Sequence, residues 1–365
     1  MKTNIILLLL LSFQITSSKK VFEETKIKSV TFKNRLFKGA VFDFTMKSGK
    51  ITEDGFKYYE EYAKNEIGTI ITGSMMTDDN YKLSEGFFKL DSDSYIDEYK
   101  KFTSRMHKYN TRIIAAIGCS GINKDGKLLG PSNGFSSHYN SEFIEISKEE
   151  ILTFEDNIAK GALRAKKAGF DGIELGFGHW GLYGFFLAPA YNKRNDEYGG
   201  SDENRARIIV ETIEKIRKLV GNDYLIIMKI NSRDGFENGV TEQGFITASK
   251  MAEKAGVDII EVSGSDYQKV KMKTPYYFES TKKLADIVNI PVMLIGGIRD
   301  LDTMEDILKN TKIEYFGIVR PVMCEPDLPK YWKEKGNRKS KCISCNGCFK
   351  EHACVFRKKN KNLKK

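Results

Sequence analysis

Ile173-Glu174-Leu175-Gly176-Phe177-Gly178-His179, followed by Asn192-Lys193-Arg194-Asn195-Asp196-Glu197-Tyr198-Gly199-Gly200-Ser201, is the stretch whose reading decides the fold. It reads as a buried β-strand opening into a glycine-rich loop with one histidine. A charged turn and a long helix from 202 to 220 come next. Strand, loop and helix in that order form the unit of α/β architectures, and in barrels of this class chemistry sits where strands end.

Working outward, the same alternation recurs from residue 30 to 320. Short β-rich apolar runs lie at 36–40, 69–72, 112–117, 172–175, 225–230, 259–262, 292–295 and 315–318. Amphipathic helical stretches separate them at 54–66, 95–109, 148–168, 202–220, 242–255 and 303–310. Ser147, three residues before Glu150, has the spacing of a capping box. Gly169 and Gly256 stand where helices end before the next strand. Eight strands alternating with helices predict an α/β fold, a single-domain (β/α)8 TIM barrel. An open doubly wound sheet competes, but no Gly-x-Gly-x-x-Gly follows the first strand. The Gly-, Ser- and Asn-rich segment 119–145 is a long loop after strand three, expected to be functional or to hold a small excursion.

The chain has 365 residues and a net charge of +10, but much of the basic excess lies between 330 and 365. Elsewhere acids and bases mix along helix faces, so nucleic-acid binding is not expected. Lys2, an apolar run over 5–13 and the small residues at 17–18 match a signal peptide over residues 1–18. That run is too short for a stable membrane span. It predicts the secretory pathway or the exterior if it functions as a signal, and the cytoplasm otherwise. The domain plan is therefore a signal at 1–18, a barrel over 19–335 and a basic cysteine-containing tail over 336–365. Cys342, Cys345, Cys348 and Cys354 crowd that tail, and such clustering suggests metal in a reducing compartment or disulfides in an oxidising one.

Three constellations could carry chemistry. Gly296 and Gly297 follow strand seven and Arg320 follows strand eight, the two loops where barrels often hold a phosphate. Lys229 ends the apolar strand five, where an inward ammonium needs an anionic partner; reduced flavin is one such anion. His179 could polarise a substrate carbonyl. The plain alternatives are a tight turn with a surface arginine, an outward lysine and a structural histidine.

Together these sites resemble the Old Yellow Enzyme family of FMN-dependent oxidoreductases over roughly residues 21 to 348. The resemblance is carried by Lys33-Asn34-Arg35-Leu36-Phe37-Lys38, Ile71-Thr72-Gly73-Ser74, the block 192–207, Lys229-Ile230-Asn231, Glu261-Val262-Ser263-Gly264, Gly296-Gly297-Ile298-Arg299 and Arg320-Pro321. It implies a barrel binding FMN, NAD(P)H as reductant and an electron-poor alkene or other acceptor as oxidant. It places Lys229 near flavin N1, Gly296, Gly297 and Arg320 at the phosphate, and Ala40 and Gly73 along the flavin. The family pattern at strand four is His-x-x-His or His-x-x-Asn, then tyrosine two residues on; this chain has Gly176, His179 and Gly181. Tyr183 is the nearby candidate proton donor. The glutamine that bonds the flavin pyrimidine is Ala116 here, and Phe42 stands where the family has threonine or cysteine. In the branch with 2,4-dienoyl-CoA reductase, the tail cysteines hold an iron–sulfur cluster, with longer spacings than these.

The resulting expectation is an NAD(P)H:flavin oxidoreductase with His179 and Tyr183 catalytic. Two other readings stay open: a flavin- or phosphate-binding barrel without turnover, and a flavin-free aldolase using Lys229 as a Schiff base.

Overall fold

The computed structural model describes residues 19–41, 45–47, 50–79, 87–118, 121–267, 275–351 and 353–357. The expected signal peptide, Phe42 and Cys119 lie outside them. Eight parallel strands close on themselves: β1 Leu36–Lys38, β2 Thr69–Met76, β3 Arg112–Ile117, β4 Gly172–Gly176, β5 Leu225–Asn231, β6 Ile259–Ser263, β7 Val292–Ile295 and β8 Ile313–Ile318. Each pairs with its sequence neighbours, and β1 pairs with both β8 and β2, which shuts the barrel. The expected (β/α)8 barrel is the observed fold.

Helices α1 Glu53–Ala63, α2 Ile96–His107, α3 Lys148–Lys167, α4 Leu182–Leu187, α5 Asp202–Val220, α6 Glu242–Ala255, α7 Phe278–Ala285 and α8 Leu301–Asn310 lie between successive strands. The predicted punctuation works as chemistry. Ser147 and Glu150 form a full capping box on α3, and Gly256 closes α6 in the left-handed region at φ 111°. The strands bury both faces, which is why they read as continuous apolar runs. Inward-facing Phe37, Ile71, Ile114, Ile227, Ile259, Met293 and Tyr315 fill the lower interior. A hairpin, Thr25–Ile27 with Val30–Phe32, plugs the bottom, where Phe32 packs 5.4 Å from Phe37 and 5.7 Å from Tyr315, ring centre to ring centre. With each such side chain contributing about 1.5–3 kcal/mol on burial, this floor is rigid scaffold rather than pore.

The loop after β3 holds a three-stranded sheet, Leu128–Gly130, Gly134–Ser136 and Ser141–Glu145. The block 192–207 clamps this excursion to the barrel. Asn192 donates to the carbonyls of Phe186 and Tyr198, both at 2.8 Å. The Arg194 guanidinium grips Asp196 and also donates to the carbonyls of Pro131 and Ile146. Its role is structural.

After β8 come α9 Arg320–Cys324 and α10 Leu328–Lys335. The segment expected as a tail then turns back over the C-terminal end of the barrel and carries α11 Gly347–Glu351. The Ser340 amide donates to the Arg299 carbonyl at 2.8 Å, and Arg357 reaches Glu61 on α1. Among the described residues, no helix is long and apolar enough to cross a membrane.

Candidate active site

Alternation along three adjacent strands sends Glu174 of β4, Lys229 of β5 and Glu261 of β6 into the upper barrel. Lys229 stands opposite Glu261 in the β5–β6 ladder. Its Nζ donates to Glu174 Oε1 at 2.8 Å and lies 3.0 Å from Glu261 Oε1. The second contact has ionic distance without hydrogen-bond alignment. The three residues are nearly sealed, at 1%, 6% and 0% exposure respectively. Among the described residues, Glu174 Oε2 and both Glu261 oxygens have no aligned hydrogen-bond partner. Burial opposes the lysine's charge, but the two carboxylates outweigh it and hold Lys229 as an ammonium above its ordinary range. Burial pushes the Glu261 carboxyl up to about 8, against the pull of Lys229 and with the repulsion of Glu174. A lysine locked in its charged form is a poor amine nucleophile, which weighs against Schiff-base chemistry.

His179 stands at the mouth, just past β4. Its backbone sits at φ 57°, a left-handed conformation unusual for a side-chain-bearing residue. The preceding Gly178 leaves room for this, since a Cβ there would come within 2.6 Å of Asn231 Oδ1. Asn231 accepts from the His179 amide at 2.8 Å and is itself fixed by Asp234 and Ser265. The ring pairs through Nε2 with Ser263 Oγ at 2.9 Å and lies 5.0 Å from the Tyr267 ring. The residue is half-buried. Burial first, then the charge on Lys229, depresses its pKa to about 3, so it is a neutral imidazole. Held strain and fixed orientation at a strand end are what a binding residue needs.

Tyr183 is elsewhere. It is wholly buried on α4, packed on Phe154 and Phe177, with its hydroxyl 2.6 Å from Thr212 of α5. Thr212 spends its own hydrogen on the Ile208 carbonyl, so Tyr183 is the donor. The structure therefore does not bring Tyr183 to His179; it lies in the layer between barrel and helices. The two-residue shift from Gly181 moves the side chain from the loop into the first turn of α4.

The glycine pair after β7 adopts the conformation a cradle requires, with Gly296 at φ 93° and Gly297 at φ 81°. Arg320 begins α9 beside it. Its guanidinium donates to Tyr276 Oη at 3.0 Å and to Asn346 Oδ1 at 2.7 Å. Arg299 holds the Cys342 carbonyl and Ser344 Oγ. The tail thus rests on the arginines at the cradle, a contact that nothing in its sequence pattern had signalled. Ala40, half-buried, packs against the barrel interior just above β1, and Gly73 lies within β2, its amide donating to Tyr59 Oη. Ala116 faces inward beside Glu174, with which it pairs.

Tyr267 also meets Phe349 of α11, with ring centres 5.5 Å apart, so the tail reaches the wall of the mouth. On the other side His138, Trp180 and Phe236 form a stacked row, with ring centres 4.0 and 5.6 Å apart. Cys324 joins Cys342, Cys345, Cys348 and Cys354 around a cavity of about 20 Å³, room for one water. All five are thiols, and burial with the neighbouring Cys354 pushes Cys324 up to about 12. Among the described residues, no three His, Cys, Asp or Glu side chains are arranged to hold a metal ion.

The residues do fit FMN: a backbone cradle and a fixed guanidinium suit a phosphate. A buried ammonium flanked by unsatisfied carboxylate oxygens suits a polar ring edge. Comparison with known proteins finds relatives that span the barrel. An NADPH dehydrogenase from Halalkalibacterium halodurans is 30% identical over 319 residues, 85% of this chain and 93% of that protein. An NADH oxidase from Thermoanaerobacter brockii is 30% identical over 354 residues, 92% of this chain but only 54% of that protein. The chain thus spans about half the length of that relative. The barrel superposes on a 2-naphthoyl-CoA reductase complex with a TM-score of 0.82 at 24% identity, covering 90% of this chain and 54% of the other. It superposes on an Old Yellow Enzyme homologue from Zymomonas mobilis with a TM-score of 0.75 at 21% identity, covering 89% and 95%. The model of the NADH:flavin oxidoreductase / NADH oxidase family matches residues 20–339, and the chain belongs to that family.

Proposed function

We propose that this protein is an FMN-dependent NAD(P)H oxidoreductase whose acceptor chemistry departs from simple alkene reduction. The observation that carries the reading is the convergence at one barrel end of Gly296 and Gly297, Arg320 and the inward Lys229. When bound, FMN supplies two-electron chemistry, taking hydride from NAD(P)H and passing it to an electron-poor alkene, a quinone or oxygen. Arg320 and the cradle amides hold the phosphate, and Lys229 holds a positive charge under the ring edge where negative charge collects. His179, neutral and fixed by Asn231 and Ser263, orients the acceptor by a hydrogen bond.

What the site lacks shapes the rest of the proposal. Gly176 and Gly181 offer no second donor and no phenol, and the Tyr183 hydroxyl is committed to Thr212. Each missing hydrogen bond to a desolvated group is worth about 1–3 kcal/mol. Two together lower alkene reduction by about one to four orders of magnitude. Acceptors that need no protonation by the protein are then favoured.

Titration of the flavin-free protein with FMN, followed by fluorescence quenching, tests the cradle. Wild type is expected to bind, with Arg320→Ala and Gly297→Ala weaker by at least tenfold. Absence of binding by wild type, or equal binding by all three, would count against the assignment. A relic that binds FMN without turnover is the second reading, favoured by Gly176 and Gly181, and would show as bound flavin that NAD(P)H leaves oxidised.

A further inference from the structure

The three-residue row inside the upper barrel contains more negative than positive charge. Glu174, Lys229 and Glu261 sum to one excess negative charge when all are ionised, and none reaches solvent appreciably. An unpaired buried charge is expensive, so such a group takes a proton instead. Of the two carboxylates, Glu174 has a true hydrogen bond from Nζ. Glu261 has the 3.0 Å ionic contact, and among the described residues neither of its oxygens has an aligned hydrogen bond. Its other neighbour across the sheet is Met293 of β7, which cannot share a charge. Among the described residues, the other titratable group that feels Lys229 is His179, whose pKa is depressed by burial and by that charge. Glu261 is therefore the place in this row where a proton can be stored.

Resting on the reading that FMN binds above Lys229, we propose that Glu261 is a proton-loading partner of Lys229. When reduction brings negative charge to the ring edge, a carboxylate at Glu261 takes one proton from solvent and Lys229 turns its charge to the flavin. The balance is complete with NAD(P)H or dithionite as reductant. The flavin accepts two electrons and one proton, giving its reduced anionic form, and Glu261 accepts the second proton. Lys229 then faces one carboxylate and one reduced flavin in place of two carboxylates. Glu174 is a positioning residue, since its hydrogen bond fixes the ammonium and its charge repels Glu261.

Burial holds the Glu261 carboxyl at about 8, so the coupling has a defined window. Below that pH the proton is already in place and reduction takes up only the flavin's own proton. Above it, a second proton is taken up. Spectroelectrochemical titration of the full-length, FMN-loaded protein from about pH 6 to 10 reads this directly. One proton per two electrons corresponds to about 30 mV per pH unit, and two protons to about 60 mV. Wild type is expected to show the shallower slope below pH 8 and the steeper one above it. E261Q should give the shallow line throughout, and E174Q should move the break to lower pH by removing the repelling charge.

A single shallow line for wild type, with flavin bound and reducible, overturns this proposal and leaves the oxidoreductase reading intact. A break that survives in E261Q also overturns it, because another group then carries the proton. If E261Q does not fold, the wild-type break and its shift in E174Q decide the matter. Protein that retains no flavin overturns both readings.

Discussion

Removing the ammonium from the buried row gives the sharpest energetic test of the barrel interior. In Lys229→Met the side-chain volume is kept while Glu174 and Glu261 lose the charge at 2.8 and 3.0 Å. At an effective dielectric of about 20, each contact is worth about 6 kcal/mol of Coulomb attraction, much of it offset by desolvation. Removing one partner of a buried ion pair costs about 3–5 kcal/mol net, because charge is left behind without compensation. The cost must also depend on pH. A carboxyl stranded in a dry interior has its pKa raised, and each pH unit between its unfolded and folded values costs about 1.4 kcal/mol as pH rises. Urea unfolding of wild type and K229M at pH 6 and pH 8 is therefore expected to show a loss of about 3–5 kcal/mol at pH 8 that shrinks at pH 6. The triple variant K229M/E174Q/E261Q should recover most of it. A loss below about 1 kcal/mol at pH 8, the range of an exposed pair, would refute the buried-row argument, as would a pH-independent loss.

Three further outcomes follow from the site. Tyr183→Phe should leave NAD(P)H oxidation within about twofold of wild type and cost about 1 kcal/mol from the lost bond to Thr212; a hundredfold fall in turnover would restore Tyr183 as the proton donor. The depressed pKa of His179 contributes stability above pH 6.5 that is lost as pH falls toward about 3, by about 1.4 kcal/mol per unit. His179→Asn should accordingly flatten the acid limb of the stability profile, and parallel acid limbs in the two proteins would contradict the neutral ring. Gly297→Ala should cost about 1–2 kcal/mol of stability because φ 81° strains any Cβ-bearing residue; an unchanged urea midpoint would mean the loop relaxes freely.

Much of the fold was legible because the barrel strands are buried on both faces and the long helices are amphipathic. The runs at 112–117 and 292–295 coincide with β3 and β7 to the residue. The run at 69–72 extends to Met76 as β2: its later residues lack the β-branched signal, but Ser74 and Met75 still pair with β3 and Met76 pairs with Lys89. The small sheet after β3 was legible only as a long loop, because its strands are short and set among Gly, Ser and Asn.

The positions of Gly296, Gly297 and Arg320 just past β7 and β8 could be read from spacing alone. Glu174 and Glu261 were missed as partners of Lys229, although a charged residue inside an apolar strand was itself a usable signal. Their meeting depends on strand register, which no local pattern encodes. Tyr183 was misplaced for a similar reason: two residues along a loop that becomes a helix rotate a side chain by half a turn. The docking of Ser344 and Asn346 on Arg299 and Arg320 is a long-range contact between elements with no shared periodicity.

Whether the thinned mouth still serves a working flavin is read from an anaerobic visible spectrum before and after NAD(P)H addition. Flavin absorbance is expected to co-purify with the protein or to be restored by added FMN, and to bleach on NADH or NADPH. A bound flavin that stays oxidised with both nucleotides, or protein that binds no flavin, would contradict it.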